Sequence, residues 1–311
     1  MENILKNFSA QFAFQPEIIN SENLKGADKF IVAGMGGSHL SAGFIKIAAP
    51  KLDLLIHRDY GLPRVPDYFL NDSLIICSSY SGETEETLDV FNESLKKGLN
   101  LAVVSSGGQL LRLALENKIP FVKIPAGFPP RLALGFSLKA LLKLIGLKKE
   151  EEEVSSLSSK FRPESFIKDG EKFAEFISGK IPVVYSSLLN FPLAYAWKIK
   201  FNETAKIPAF ANYFPELNHN EMEGFSSGLN KFAFIFLSSS RDSAMIKKRM
   251  AVTSEIFKSV LVNESKGDNV FEEIFSSLLI AGWASLSIAK SSGVNPLSTP
   301  LIDSFKQKIK N

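Results

Sequence analysis

Cysteine is almost absent from this chain of 311 residues, since Cys77 is its only one. A single thiol excludes a disulfide within the chain and a cysteine-based zinc site, and it favours a cytoplasmic compartment. Cys77 lies in the apolar run Leu74–Ser78, a pattern typical of a buried strand. We therefore interpret the thiol as a small core side chain and not as a nucleophile.

An excess of charge of one sign is also missing. The 36 Lys and Arg residues are nearly balanced by 33 Asp and Glu residues, which leaves a formal net charge of +3. This balance predicts no nucleic-acid partner and no polybasic surface for a membrane. The small positive excess suits a modest anion such as a sugar phosphate.

Long hydrophobic runs are scarce. The segment Met1–Phe12 has no basic region followed by an apolar stretch, so we expect no signal peptide. The most apolar long stretch, Ile274–Ala289, falls short of the roughly 20 residues that cross a bilayer and carries several serines. It predicts a buried core helix and no membrane partner.

Short apolar runs alternate with helical patterns in the first half of the chain. Helical patterns run through Ile47 and over Glu83–Lys97. Such alternation is typical of a parallel sheet covered by helices on both faces. The predicted strands are Lys29–Ala33, Asp53–His57, Leu74–Ser78, Leu101–Val104 and Phe121–Ile124.

The second half repeats the alternation, with strands predicted at Ile181–Tyr185, Lys231–Leu237 and Ser259–Val262 and a helix at Arg241–Phe257. In each half an apolar strand ends in serines and leads into a helix. The repeat predicts two similar doubly wound domains in tandem.

Charge and serine dominate the segment Lys148–Pro163, where we place the domain boundary. The predicted fold is α/β, with two doubly wound parallel-sheet domains at residues 1–150 and 151–311. The second domain ends in a C-terminal helical tail from Pro300 to Asn311 with one basic face.

The turn Ser79-Tyr80-Ser81-Gly82-Glu83-Thr84 follows a buried strand and opens a helix. Such a turn presents backbone N–H groups and the positive end of a helix dipole to an anion, and the hydroxyls of Ser79, Ser81 and Thr84 add donors. It lacks the lysine of a P-loop, which indicates a single phosphate monoester. An N-cap at Ser81 explains the same residues, and spacing alone does not separate the two interpretations.

The glycine turn Gly34-Met35-Gly36-Gly37-Ser38 also follows a strand and opens a helix. The third glycine of a dinucleotide fingerprint would fall at His39, so a nucleotide cofactor is disfavoured. We expect this turn to line the same sugar phosphate pocket as the serine turn, with Ser38 reaching the ligand.

The segment Lys200–Glu223 holds four carboxylates and His219, one of only three histidines. A carboxylate and an imidazole near one substrate can move protons between carbon and oxygen without a metal. A polar surface turn accounts for the segment equally well on its own. The four carboxylates are those of Glu203, Glu216, Glu221 and Glu223.

Six motifs in order resemble the bifunctional phosphoglucose/phosphomannose isomerases, which are built from two sugar isomerase (SIS) domains. The resemblance spans nearly the whole chain, and its last motifs are more specific than the glycine and serine turns. The motifs are G-M-G-G-S at 34–38, S-Y-S-G-E-T at 79–84, P-R-L-A-L-G at 130–135, F-N-E at 201–203, E-L-N-H-N-E at 216–221 and N-P-L-S-T-P-L-I-D-S-F-K at 295–306.

The resemblance implies four catalytic residues. Glu203 matches the base that shuttles a proton between C1 and C2, and Arg131 matches the arginine that stabilises the enediolate. His219 matches a ring-opening residue in a segment that reaches a neighbouring subunit's site, which implies a homodimer. Lys306 matches the tail lysine that assists ring opening near the ring oxygen.

The resemblance also implies a set of substrate-binding hydroxyls and no metal or other cofactor. Thr299 matches the threonine linked to acceptance of both C2 epimers. The phosphate-binding hydroxyls are matched by Ser38, Ser79, Ser81 and Thr84. Glu83 departs from the family, because it replaces the usual asparagine and adds negative charge near the expected phosphate. His39 and Gly43 also differ from the residues usual in the first helix.

The function implied is a cytoplasmic, metal-independent aldose–ketose isomerase of carbohydrate metabolism. It would interconvert glucose 6-phosphate and mannose 6-phosphate with fructose 6-phosphate through ring opening and a cis-enediol(ate). One alternative is a non-catalytic SIS regulator that senses a phosphosugar, which would need the serine turn but not Glu203, His219 or Lys306. Another is a pentose phosphate or other ketose isomerase, which the tandem halves disfavour.

Overall fold

The computed structural model describes residues 1–264 and 266–309. The strands in chain order are β1 (Lys29–Ala33), β2 (Asp53–His57), β3 (Ser73–Ser78), β4 (Leu101–Ser105), β5 (Phe121–Lys123), β6 (Ile181–Ser187), β7 (Phe210–Phe214), β8 (Phe232–Ser238) and β9 (Val260–Glu264). The α-helices are α1 (Glu2–Lys6), α2 (Gly37–Ala48), α3 (Asp67–Asp72), α4 (Glu85–Lys96), α5 (Gly108–Glu116), α6 (Leu134–Ile145), α7 (Lys148–Lys160), α8 (Ile167–Ile177), α9 (Phe191–Lys200), α10 (Ala244–Phe257), α11 (Val270–Ser291) and α12 (Pro300–Ile309). Residues 310 and 311 of the predicted tail lie outside the described residues.

The chain divides into two compact units. The N-terminal unit comprises Asn7–Phe161 and Asn269–Glu272. The C-terminal unit comprises the described residues of Met1–Lys6, Arg162–Asp268 and Glu273–Asn311.

The units divide inside the charged segment that marked the boundary in the sequence, but later than residue 150. Residues 151–160 continue α7 and belong to the N-terminal unit, because Val154 and Leu157 are buried one helical turn apart. The glutamates and serines of α7 form the more solvated side of an amphipathic helix.

A parallel sheet forms the centre of the N-terminal unit, with strand order β2-β1-β3-β4-β5. Every residue of β3 is buried, and its side chains Ile75 and Cys77 belong to a core cluster that includes residues of α4 and α5. The order reverses between β1 and β3, and ligands of such sheets bind beyond the carboxyl ends of the strands at that point. The glycine and serine turns follow these two strands.

A second parallel sheet forms the centre of the C-terminal unit, with the order β7-β6-β8-β9. Two parallel sheets in an α/β fold confirm the predicted class. Cys77 is fully buried in the N-terminal core, as expected, and burial raises the pKa of its thiol.

Strand β7 was not predicted, and the reason lies in its position at the edge of the sheet. Only Phe214 of its residues is buried, so the segment lacks the continuous apolar run that marks a central strand. The helix predicted from Arg241 begins instead at Ala244, because the Ser243 side chain accepts a hydrogen bond from the Ile246 N–H and caps α10.

Helix α11 covers the apolar stretch that was predicted as a core helix. By length and composition it could cross a membrane, but 83% of its most apolar window is buried inside the protein. Packing within the chain therefore accounts for its hydrophobicity.

Candidate active site

The serine turn between β3 and α4 is closed by its own hydroxyls. The Ser79 and Thr84 hydroxyls lie 2.8 Å apart, and the Ser79 hydroxyl also accepts the Gly82 N–H at 3.1 Å. Gly82 has a positive φ of 72°, and a Cβ there would lie 1.9 Å from the Gly107 carbonyl oxygen. Only glycine fits this position.

Ser81 remains exposed in this turn, and its hydroxyl accepts the Glu83 N–H at 3.2 Å. Helix α4 begins after Thr84, so Thr84 and not Ser81 is its N-terminal flanking residue. The Ser81 hydroxyl therefore orders the turn without capping α4.

The glycine turn packs directly against the serine turn. The Ser38 hydroxyl accepts the Tyr80 N–H at 3.0 Å, and the Ser78 hydroxyl donates to the Ser38 carbonyl at 3.1 Å. A Cβ at Gly34 would lie 2.6 Å from the Ser78 carbonyl oxygen, so the close approach of the two turns requires glycine. The structure thus brings the four predicted phosphate-binding hydroxyls together at the switch point of the first sheet.

Arg131 lies against the same glycine turn. A Cβ at Gly37 would be 2.8 Å from the Arg131 backbone nitrogen, and the arginine is only 2% exposed. Arg131 carries a permanent positive charge, and it belongs to the short helical turn whose backbone packs against the turn carrying Ser38.

Glu83, the unexpected acid of the serine turn, is held by a neighbouring helix. Its carboxylate accepts the Gln109 N–H at 2.8 Å in the first turn of α5. A carboxylate at that end of a helix is stabilised by the helix dipole. The carboxylate of Glu83, which stands where the family usually has asparagine, is therefore bound by the backbone of α5.

His39 follows Ser38 in α2 and is 5% exposed. Burial, with a smaller effect of the nearby Arg58 charge, lowers the pKa of His39 from 6.5 to about 4. The imidazole is therefore neutral at pH 7, and its position in the first turn of α2 also disfavours the charged form.

In the C-terminal unit, Glu203 lies on a π-helical turn, Phe201–Ala205, that continues α9. Such turns are rare and frequently occur at functional sites. The turn ends at Lys206, whose φ of 58° is left-handed. The Lys206 ammonium donates to the backbone carbonyls of Glu203 and Ser298, which ties the turn to the loop before Thr299.

Thr299 precedes α12, and its hydroxyl donates to the Asp303 carboxylate at 3.3 Å. Lys306 lies on α12, is exposed, and forms no ion pair with the described residues. The helix also exposes apolar side chains, with Leu301 86% and Phe305 63% exposed.

His219 ends a short helical turn, Glu216–His219, and its side chain is exposed. It makes no hydrogen bond with the described part of the chain. Two residues later, Glu221 accepts hydrogen bonds from the Tyr185 hydroxyl at 2.6 Å and from the Asn212 side-chain amide.

The serine-rich turn after β8 echoes the turn after β3, but its donors are occupied by carboxylates of the same unit. Asp242 accepts the Ser239 N–H at 2.8 Å and the Asn190 amide at 3.0 Å. Glu273 accepts the Ser239 and Ser240 hydroxyls at 3.2 and 3.3 Å. The carboxylates of Asp242 and Glu273 therefore take up donors of this second turn.

Comparison with known proteins gives one match to the C-terminal part of the chain and others to nearly all of it. Residues 166–309 match the family described as "Bacterial phospho-glucose isomerase C-terminal SIS domain". A bifunctional phosphoglucose/phosphomannose isomerase of Aquifex aeolicus is 32% identical over 99% of this chain and 97% of its own length. The chain belongs to the family of bifunctional phosphoglucose/phosphomannose isomerases. The Thermoplasma acidophilum member is 30% identical over 90% of this chain and 89% of its own.

The solved structures extend the likeness of fold beyond the family. A glucosamine-6-phosphate deaminase of Thermotoga maritima superposes with a TM-score of 0.69 at 18% identity, covering 96% of this chain and 94% of that one. At this identity the similarity shows the fold alone. It supports the α/β architecture of the chain.

Among the described residues no group of three or more His, Cys, Asp or Glu side chains could hold a metal ion. Sequence reasoning did not find Tyr185, Asn212 or Lys206, whose partners are distant in sequence or are backbone carbonyls. A tyrosine inside an apolar strand carries no signal of its own. Only the pairing of strands β6 and β7 shows that it faces Asn212.

Proposed function

We propose that this enzyme interconverts glucose 6-phosphate and mannose 6-phosphate with fructose 6-phosphate. The observation that carries the proposal is its full-length similarity to isomerases of that name, one of them 32% identical over 99% of this chain. We propose further that both units are SIS domains and that the protein acts in the cytoplasm as a homodimer.

In this proposal the hydroxyls of the two N-terminal turns hold the phosphate. Ser38, Ser79, Ser81 and Thr84 lie with the start of α4 at the switch point of a parallel sheet, where an anion is favoured. Fixing the phosphate fixes the sugar, and this lowers the entropic part of the barrier for the proton transfer.

Glu203 acts as the base in this mechanism. In the aldose-to-ketose direction its carboxylate removes the C2 proton of the open-chain aldose, the carbonyl oxygen on C1 gains a proton, and a cis-enediol forms. Return of the carbon-bound proton to C1, with loss of the O2 proton, gives the ketose. Arg131 stabilises the negative charge on oxygen in the enediolate.

One base serves both aldoses because C2 is planar in the enediol. Glucose and mannose differ only in the configuration of C2, so both give the same intermediate. The face from which the proton returns to C2 decides the product, and we propose that Thr299 helps both C2 epimers to be accepted. Its hydroxyl lies at the start of α12, beside the loop bound to the Glu203 turn.

Ring opening requires an acid for the ring oxygen and a base for the C1 hydroxyl. We assign these roles to His219 and Lys306, both exposed and without an ion pair among the described residues. In the proposed homodimer His219 serves the site of the neighbouring subunit.

The test is a coupled assay of Glu203→Gln with both aldose phosphates. We expect kcat to fall by about 10²–10⁴-fold, the range of general acid–base catalysis, while calorimetry shows that fructose 6-phosphate still binds. Glu223→Gln is the control, because this exposed carboxylate lies outside the proposed mechanism. Normal turnover by Glu203→Gln would remove Glu203 from the mechanism.

The same assay distinguishes the proposed isomerase from a metal-dependent enzyme and from a non-catalytic regulator. Activity of the wild-type enzyme should survive EDTA, because no step of the proposed mechanism uses a metal. Loss on chelation with recovery on adding zinc would contradict that mechanism. Binding of the sugar phosphates without any turnover would indicate a phosphosugar-sensing regulator instead.

A further inference from the structure

We propose that Glu221 is a positioning residue for His219, and that Tyr185 and Asn212 hold it in place. The inference rests on the proposed function, because it assigns to Glu221 a part in presenting the ring-opening imidazole. The inference is based on the position of Glu221, which is hydrogen-bonded to two strands of the sheet and follows the exposed His219 by two residues.

Tyr185 on β6 and Asn212 on β7 are register partners. Paired residues of adjacent strands point to the same face of a sheet, so both side chains reach Glu221 together. The Tyr185 hydroxyl donates to Oε1 at 2.6 Å and the Asn212 amide donates to Oε2. Each carboxylate oxygen therefore has its own donor.

The orientation of both donors is set by their surroundings. The Asn212 side-chain oxygen accepts the Tyr213 N–H at 2.9 Å, so the amide nitrogen must face Glu221. Tyr185 is fully buried, and burial together with the Glu221 charge raises the pKa of its hydroxyl, which stays protonated and donates. The two donors match the two oxygens of the Glu221 carboxylate, and a hydrogen bond to a charged acceptor is stronger than one to a neutral acceptor.

The segment before His219 is fixed as well. Leu217 is fully buried, and the Asn218 amide donates to the Thr253 hydroxyl of α10 at 2.9 Å. Asn220 donates to Glu216 at 2.7 Å, which closes the turn that contains His219.

His219 is thus held through its neighbours on both sides, while its own side chain makes no hydrogen bond with the described residues. Such fixed neighbours keep a catalytic side chain in the position that the reaction requires, since a displacement of about 1 Å can lower the rate by about 10²-fold. The anchor after the histidine is Glu221, and the anchors before it are Leu217 and Asn218.

A double-mutant cycle tests whether Glu221 acts through His219. The variants are Glu221→Gln, His219→Ala and the pair, with Glu223→Gln as the matched control on an exposed carboxylate of the same loop. Glutamine removes the charge of Glu221 and replaces one acceptor oxygen by an NH₂, which weakens its attachment to the two donors. We expect about a tenfold lower kcat for Glu221→Gln with KM within about twofold, and no change for Glu223→Gln.

The decisive result is the double variant. If Glu221 acts through His219, kcat of the pair equals that of His219→Ala, because the misplaced group is already gone. An additive loss overturns the inference and leaves Glu221 with an independent role. Tyr185→Phe, which removes one donor and keeps the ring, should show the same non-additivity with a smaller single effect.

The outcomes also separate this inference from the proposed function. If kcat falls in His219→Ala but stays at the wild-type value in Glu221→Gln, only the positioning role of Glu221 is overturned. A His219→Ala variant as active as the wild type, or a wild type without turnover, overturns the proposed mechanism and this inference with it. Thermal unfolding of each variant shows whether a loss of kcat reflects a loss of folded protein.

Discussion

Replacing His39 should change how the stability of this protein depends on pH. The side chain is 5% exposed in α2, and burial lowers its pKa from 6.5 to about 4, with a smaller contribution from the charge of Arg58. The unfolded chain therefore takes up a proton at His39 at a higher pH than the folded chain does. Acidification through this window favours the unfolded state.

The size of the effect follows from the two pKa values. One pKa unit corresponds to about 1.4 kcal/mol, so the full difference amounts to about 3 kcal/mol, present above pH 6.5 and lost as the pH falls to about 4. By pH 5 the unfolded histidine is almost fully protonated and the folded one is mostly neutral. About 2 kcal/mol of the unfolding free energy should then be lost through His39.

Urea unfolding followed by circular dichroism at pH 7.5 and at pH 5 measures this loss. His39→Gln removes the titration, so its loss of unfolding free energy between these pH values should be about 2 kcal/mol smaller than that of the wild type. Arg58→Gln should reduce the wild-type loss by less, because burial is the larger cause of the shift. Equal pH dependence of the wild type and His39→Gln would refute the reasoning.

Two further substitutions probe the serine turns. Gly82→Ala should lower the unfolding free energy by about 1–3 kcal/mol more than Gly98→Ala does, because both glycines have a left-handed φ but only a Cβ at Gly82 meets the Gly107 carbonyl. Urea unfolding measures both losses. Equal losses would contradict the expected clash between the Cβ and that carbonyl. Asp242→Ala should lower the unfolding free energy by about 1–3 kcal/mol, since the buried Ser239 N–H loses its acceptor. Its kcat should stay at the wild-type value, and a large fall in kcat would show that this second turn takes part in the reaction.

Much of the fold was predictable because its signals are local. Apolar runs such as Lys29–Ala33 and Leu74–Ser78 are buried on both faces, so hydrophobicity alone marks them as central strands of a parallel sheet. The edge strand β7 carries no such run, and it was missed. The π-helical form of the turn at Glu203 has no sequence signature either.

The sequence by itself determined where the chain turns after a strand, which residues at those turns carry hydroxyls or charge, and to which family the chain is similar. Those properties depend on residues that are adjacent in the chain. Only the tertiary structure decided that Arg131 packs on Gly37, that α5 holds Glu83, and that Tyr185 and Asn212 meet Glu221. Except for the contact between Asn212 and Glu221, which are nine residues apart, these contacts join segments far apart in sequence. They form only when the tertiary structure brings those segments together, and no local pattern encodes them.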